Sequence, residues 1–261
     1  MSRNTKIKSG GPAPALDQAR SLTLGPVSVV LPACNEAANL PALIAACAKA
    51  FAACFPDFEI MVVDDGSSDG TAALIGKLAQ TNPRLRLLRH PRNLGYGAAL
   101  RSGFQAARYP LIFFTDADGQ FDPAEVDLLV PHLAHSDLVA GYRSRRRDPW
   151  RRKLYGWLFS ALCRARLGIR LRDVNCAFKL FRRALLEGVE LKSSGALINA
   201  ELLAVAQSRG VVPIEVPVHH FPRRHGRQTG GSARVIFRAF REFRELDRRL
   251  KKIQARKADH D

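Results

Sequence analysis

The sequence predicts an α/β fold with a mostly parallel sheet, and three observations support this. Short apolar runs recur between residues 27 and 143, and each of them ends in polar or turn-forming residues. Within a run, apolar and polar residues do not alternate, which is typical of strands buried on both faces of a parallel sheet. Segments with helical spacing separate the runs, and repeated strand–helix alternation indicates an α/β domain.

The elements follow one another in regular order along the chain. Apolar runs that predict strands lie at 27–32, within 58–71, and at 85–90, 110–119 and 137–143. Segments that predict helices lie between them, at 38–54, 69–80, 96–108 and 123–134. The most apolar stretch, residues 40–55, holds Pro41 and Lys49 and is too short to span a bilayer, so we expect a core-facing helix.

The composition predicts one domain with a short extension at each end. No Pro-, Gly- or Ser-rich linker divides the 261-residue chain after residue 26. Residues 1–26 have no apolar core segment and are expected to be a disordered leader. Residues 27–235 form the expected domain, and residues 236–261 have the spacing of a basic amphipathic helix. Five cysteines without a CxxC pair argue against a zinc cluster and suit a reducing compartment.

Charge is distributed unevenly along the chain. The formal net charge is +17, yet residues 27–142 carry 8 Lys and Arg against 12 Asp and Glu. Residues 143–261 carry 29 Lys and Arg against 11 acids. An acidic half joined to a basic half suggests two tasks: holding a cation, and meeting an anionic partner or surface.

Acidic residues cluster where the predicted strands end. These are Glu36, Asp64, Asp65, Asp116 and Asp118. Ligands of open parallel sheets bind beyond the carboxyl ends of the strands, so these side chains are expected to converge on one crevice. The spacing of Asp116 and Asp118 suits Mg²⁺ or Mn²⁺ already bound to a diphosphate. Asp122, just before Pro123, is predicted to be a helix N-cap.

Four segments occur in an order that resembles a known family. They are "VSVVLPACNEAANL", "VVDDGSSDGT", "NLGYGAALRSGF" and "DADGQFDP". Together they resemble the inverting family-2 glycosyltransferases of GT-A fold, and in particular the dolichol- and polyprenyl-phosphate sugar synthases. The resemblance covers roughly residues 27–235 and implies a nucleotide-sugar donor, a polyprenyl phosphate or other lipid acceptor, and Mg²⁺ or Mn²⁺ as cofactor.

The resemblance also implies roles for individual residues. It places Pro32, Cys34, Glu36, Asp64, Asp65, Asp116, Ala117, Gln120 and Arg143 at the donor. Asp116, Asp118 and Gln120 match the metal motif, and Asp118 and Arg227 are the implied catalytic residues. Residues 225–234 resemble a phosphate-contacting loop that holds Arg227, Gly230 and Ser232. Ala233 stands where that loop has a lysine, and a solvated basic loop is the alternative.

The acceptor determines whether a general base is needed. A phosphate monoester is already an oxyanion at neutral pH, whereas a sugar hydroxyl requires a base. Asp173 and Glu201 are the plausible acids in the second half of the chain, and either can instead be structural. The rival hypotheses are a hydroxyl acceptor on another lipid or glycan, and a non-catalytic, basic nucleic-acid-binding protein. Because crevice carboxylates repel phosphate without a metal, we expect no nucleic-acid partner.

Basic and aromatic residues in the second half of the chain predict the cellular location of the protein. Residues 143–172 carry 11 Lys and Arg interleaved with aromatic residues, and the tail sets apolar residues at helical spacing among basic ones. Such segments bind the headgroup region of anionic membranes. We therefore expect a cytoplasmic protein held peripherally at the inner face of the membrane. The alternative is that these apolar faces pack on the domain.

Overall fold

The computed structural model describes residues 24–144, 150–226 and 241–249, so the predicted leader lies outside the described residues except for 24–26. The strands in these ranges are β1 (Val27–Ala33), β2 (Phe58–Asp64), β3 (Leu85–Arg89), β4 (Leu111–Thr115), β5 (Leu138–Arg143), β6 (Phe178–Arg182) and β7 (Ile214–Val218). The helices are α1 (Leu40–Cys54), α2 (Thr71–Thr81), α3 (Tyr96–Ala106), α4 (Val126–Leu129), α5 (Trp150–Leu167) and α6 (Ile198–Ser208).

All seven strands form one sheet in the order β3-β2-β1-β4-β6-β5-β7. β1 pairs in parallel with β2 and β4, β2 with β3, and β5 with β7. β6 is antiparallel to both of its neighbours, β4 and β5. This architecture confirms the predicted α/β fold with a mostly parallel sheet, although the sequence patterns did not predict β6 or β7.

Helices cover both faces of the sheet, and two neighbouring phenylalanines of β4 show this directly. Successive strand residues point to opposite faces. The Phe113 ring lies 5.0 Å from that of Phe51 in α1. The Phe114 ring lies 5.4 Å from that of Phe104 in α3. Every residue of β1, β2 and β4 is buried, which explains why most of their residues are apolar.

The predicted helix at 123–134 is instead three short pieces. A 3₁₀ turn (Pro123–Glu125) leads into α4, and a second 3₁₀ turn (Val130–Ala134) follows it. Pro131 has no backbone N–H to donate, so a regular α-helix does not continue through it. The predicted cap is confirmed, because the Asp122 carboxylate accepts a hydrogen bond from the Ala124 N–H at 3.0 Å.

Part of the basic tail packs on the domain. Residues 241–249 are helical, and Phe243 and Leu246 are buried in the main hydrophobic core. Glu242 accepts hydrogen bonds from the backbone and hydroxyl of Ser194. For these nine residues the structure favours the alternative in which the apolar face of the tail packs inward. Residues 236–240 and 250–261 lie outside the described residues.

Candidate active site

The carboxyl ends of three neighbouring parallel strands meet at one edge of the sheet. β1 lies between β2 and β4, and all three run in the same direction. Glu36 follows β1, Asp64 ends β2, and Asp116 follows β4 directly. The acidic residues that the sequence places at strand ends therefore share one edge, as ligand sites of such sheets do.

Asp116 has a carboxylate oxygen in need of a partner. Its Oδ1 is buried and makes no hydrogen bond within the described part of the chain. Burial and the neighbouring Asp118 carboxylate raise the pKa of Asp116 to about 7, whereas the Tyr96 hydroxyl, Arg143 and Lys179 act to lower it. A buried carboxylate oxygen without a donor is costly, and a cation at this position offsets that cost.

Asp118 and Glu36 are linked by an arginine that comes from far along the chain. Arg223 Nη2 donates to Glu36 Oε1, and Arg223 Nη1 lies 3.5 Å from Asp118 Oδ2. The other oxygen of Asp118 accepts from the Gln120 N–H at 3.1 Å. Asn39 Nδ2 donates to Glu36 Oε2 at 2.6 Å. Glu36 and Asp118, from different strand ends, are thus held on one guanidinium group.

Gln120 joins the turn after β4 to the segment after β7. Its side-chain Nε2 donates to the Phe221 carbonyl at 2.9 Å. The Phe221 N–H donates back to the Gln120 carbonyl at 2.8 Å. This reciprocal pair holds the chain that carries Arg223 against the turn that carries Asp116 and Asp118.

The donor set fits a divalent ion that arrives with a diphosphate. In the part of the chain that the structure describes, no group of three His, Cys, Asp or Glu side chains is placed to hold a metal by itself. Mg²⁺ sites at phosphates commonly use one or two carboxylates and complete their coordination with phosphate oxygens and water. Asp116, with its unpartnered Oδ1, and Asp118 would supply such carboxylates.

Asp65 and Asp64 each have hydrogen-bond partners within the domain. Asp65 contacts His90 Nδ1 at 2.7 Å and accepts hydrogen bonds from the N–H groups of Leu94 and Gly95, both at 2.8 Å. Asp64 Oδ1 accepts from the Ser67 N–H at 3.1 Å. Asp65 therefore fixes the loop that leads into α3, and the predicted contacts of both carboxylates with a base or ribose stay predictions.

The smaller residues that the resemblance assigns to the donor differ in access to solvent. Pro32 lies buried within β1, opposite Val63 of β2. Ala117 is buried between the two aspartates. Cys34 is exposed, and its Sγ accepts a hydrogen bond from Asn93 Nδ2 at 3.2 Å. Of these three donor-pocket candidates, Cys34 is the one whose side chain faces open space.

Arg143 and Asp173 form a two-point ion pair at the end of β5. Arg143 Nε donates to Asp173 Oδ2 at 2.6 Å, and Nη2 donates to Oδ1 at 2.8 Å. The two side chains are only 14% and 11% exposed. Because both carboxylate oxygens accept from Arg143, the geometry favours a structural role for Asp173 over that of a general base.

Glu201, the other candidate base, is also occupied. Its carboxylate accepts from the N–H groups of Lys192 and Ser193, and Arg249 Nη2 donates to it at 2.7 Å. The residue is 2% exposed. Glu201 thus ties α6 to the preceding loop and to the helical residues 241–249, which again favours the structural alternative.

The implied catalytic residue Arg227, with Gly230, Ser232 and Ala233, lies outside the described residues. The sequence reasoning missed Arg223, which lies only two residues before the segment compared with the phosphate-contacting loop. The signal was present, since acidic residues at converging strand ends require a cation and Arg223 follows the apolar residues of β7. What the sequence alone lacked was evidence that β7 reaches this crevice.

Comparison with known proteins agrees with this geometry. Residues 28–189 match the model of Glycosyl transferase family 2. The chain belongs to this family. It is 33% identical over 211 residues to polyprenol monophosphomannose synthase of Mycolicibacterium smegmatis, with 76% of this chain and 78% of that protein covered. Family membership confirms the predicted enzyme class, a glycosyltransferase, over the non-catalytic hypothesis.

A second relative and two solved structures extend the comparison. The glycosyltransferase is 32% identical to undecaprenyl-phosphate 4-deoxy-4-formamido-L-arabinose transferase of Aeromonas hydrophila, covering 80% of this chain but 64% of that protein. Glucosyl-3-phosphoglycerate synthase of Mycobacterium tuberculosis matches at TM-score 0.61 and 22% identity in its complex with Mn²⁺, UDP and glucosyl-3-phosphoglycerate, with 87% and 77% of the two chains covered. Its complex with Mg²⁺ and UDP matches at TM-score 0.63 and 23% identity, with 82% and 78% covered. These matches confirm the GT-A fold.

Proposed function

We propose that this glycosyltransferase moves a hexose from a nucleotide-sugar, of the GDP-mannose or UDP-glucose type, to a polyprenyl phosphate. The observation that carries this proposal is that the carboxylates of both candidate bases, Asp173 and Glu201, already accept hydrogen bonds from fixed protein donors. A hydroxyl acceptor needs a general base, whereas a phosphate monoester attacks as an oxyanion. One relative is named for the synthesis of polyprenol monophosphomannose, and the other is named as an undecaprenyl-phosphate sugar transferase. Both names support the same acceptor class.

The crevice residues have separate tasks in this reaction. Asp116 and Asp118 would hold Mg²⁺ or Mn²⁺, which neutralises charge on the departing diphosphate. Gln120 keeps their turn in place through Phe221. Arg143, oriented by Asp173, presents a fixed guanidinium group suited to two-point contact with a phosphate. The protein thus acts by positioning and by electrostatic stabilisation, with no protein base required.

A matched pair of acceptors tests the proposal. We expect transfer to a short polyprenyl phosphate in the presence of Mn²⁺ and a nucleotide-sugar, and none above background to the same polyprenol without its phosphate. Chromatography of the lipid product measures both reactions, with a panel of GDP- and UDP-sugars as donors. Equal transfer to the free polyprenol would overturn the phosphate acceptor and support the rival hydroxyl acceptor.

An exposed apolar face on α5 supports the proposed location at a membrane. Leu154, Trp157 and Leu158 occupy one side of the helix and are 43%, 65% and 48% exposed. Arg164 and Arg166 lie exposed in its last turns. Apolar residues beside basic ones are the pattern of a helix that lies in the headgroup region of an anionic membrane. This face supports the proposal that the enzyme is a cytoplasmic protein bound peripherally at the inner face of the membrane.

None of the described helices combines the length and the apolar character that crossing a bilayer demands.

Replacing Trp157 by Glu is expected to weaken binding to vesicles that contain 30% anionic lipid by about tenfold, because a charge replaces an inserted indole. Vesicle co-sedimentation at low salt measures this. Val212→Glu is the matched control, since Val212 is 78% exposed and lies beyond α6. Equal binding by both variants would contradict the assignment of this face.

A further inference from the structure

Arg223 contributes the positive charge that two of the crevice carboxylates share. Its Nη2 donates to Glu36 Oε1, its Nη1 lies 3.5 Å from Asp118 Oδ2, and its Nε donates to the His225 carbonyl at 2.6 Å. The side chain is only 15% exposed. All three guanidinium nitrogens are thus engaged, which holds the group in one orientation inside the crevice.

The backbone beside Arg223 is shaped to admit the guanidinium group. Gly226 has a φ of +84°, in the region that favours glycine, and a Cβ there would come within 2.7 Å of Arg223 Nη2. The segment that carries Arg223 is also fastened by the reciprocal Gln120–Phe221 hydrogen bonds. Arg223 therefore occupies a built position between the two carboxylates.

Arg223 and a divalent ion would compete for the Asp118 carboxylate. Glu36 and Asp118 both lie within ion-pair distance of the Arg223 guanidinium group, whose side chain is largely buried. Arg223 therefore stabilises the charged carboxylates when they hold no metal. A divalent ion that binds Asp118 brings two further positive charges close to the guanidinium group, and like charges at this distance repel.

We propose that Arg223 is the resident counter-ion of the metal site: it pairs with Glu36 and Asp118 before a divalent ion binds, and moves to the diphosphate of the metal-bound donor. The inference rests on the proposed use of Mg²⁺ or Mn²⁺ and a nucleotide-sugar. When Asp118 binds the metal, the N–H groups of Arg223 that faced it donate to diphosphate oxygens instead. The guanidinium group therefore has an anionic partner both before and after the metal-bound donor arrives.

Opposite effects on two ligands follow from this exchange. Arg223→Gln is expected to bind Mn²⁺ alone about tenfold more tightly than the wild type, because a competing positive charge is removed. The same variant is expected to bind UDP or GDP about tenfold more weakly at saturating Mn²⁺, because a charge-assisted phosphate contact is lost. A residue with a merely structural role would weaken both or neither.

Electron paramagnetic resonance of free Mn²⁺ measures the first affinity, and calorimetric titration with each nucleotide measures the second. Arg224→Gln is the matched control, because Arg224 is the exposed neighbour, and both of its affinities should equal those of the wild type. Arg223→Lys keeps the charge and should bind Mn²⁺ within about twofold of the wild type. Thermal melting verifies that every variant is folded.

The outcomes separate this inference from the proposed function. If the wild type binds Mn²⁺ and nucleotide but Arg223→Gln shows unchanged or weaker Mn²⁺ binding, Arg223 is not the counter-ion. If Mn²⁺ binding tightens while nucleotide binding is unchanged, the transfer to the diphosphate is wrong. A wild type that binds neither ligand overturns the proposed function, and this inference with it.

Discussion

Asp118→Asn is expected to lower metal-dependent turnover by about 100-fold or more while the fold stays intact. Asn keeps the oxygen that accepts from the Gln120 N–H, so the turn after β4 retains its hydrogen bond. It removes the negative charge that would hold the metal beside Asp116. Because Asp116 and Asp118 raise each other's energy when both are charged, the free energy of unfolding should be unchanged or slightly higher without metal.

Turnover at saturating donor, with and without Mn²⁺, tests this expectation, and denaturant unfolding measures the stability. Asp122→Asn is the matched control on the same turn, because it makes the same change in charge at an exposed helix cap. Asn caps a helix as well as Asp does, so this control should keep both stability and activity. Wild-type turnover in Asp118→Asn would remove Asp118 from the proposed metal site.

Arg143→Met is expected to lower the free energy of unfolding by about 3 kcal/mol and to abolish most of the activity. The change leaves the Asp173 carboxylate buried without its two-point partner. Adding Asp173→Asn removes that buried charge, so the double variant should recover most of the lost stability. Activity should stay lost, because the double variant still lacks the guanidinium group proposed to contact a phosphate.

Denaturant unfolding and turnover of the two single variants and the double variant form the complete test. Arg182→Met is the control for an arginine–carboxylate pair in solvent, since the Arg182 and Asp137 side chains are 41% and 48% exposed. Its loss should cost no more than about 1 kcal/mol. If the double variant regains activity together with stability, Arg143 is structural and does not contact the substrate.

Sequence patterns alone predicted the first five strands and the helices between most of them. They succeeded where a strand is buried along its whole length, as β1, β2 and β4 are, because such a strand appears in the sequence as a short, mainly apolar run. They did not predict β6, because its second residue, Lys179, interrupts an apolar run with a charge. Lys179 is fully buried, and its Nζ donates to the Val174 carbonyl and to Asn199 Oδ1. Asn199 lies 20 residues further along the chain, so no local sequence pattern indicates this acceptor.

Some features of the candidate site could likewise be predicted from the sequence, and others could not. The sequence by itself determined that Asp116 and Asp118 follow a buried strand, and the order of parallel strands then places them at one edge with Glu36. It also carried the motifs that identify the family. These features depend on neighbouring residues and on strand direction, both of which can be read along the chain.

Only the tertiary structure decided which of these charged groups are already engaged. Arg223 meets Glu36 across 187 residues of chain, and Arg143 meets Asp173 across 30. The sequence presented Asp173 and Glu201 as candidate bases, and folding gave each of them fixed donors. A carboxylate acts as a base, a metal ligand or an ion-pair partner according to the groups within a few ångströms, and only the folded chain sets those distances.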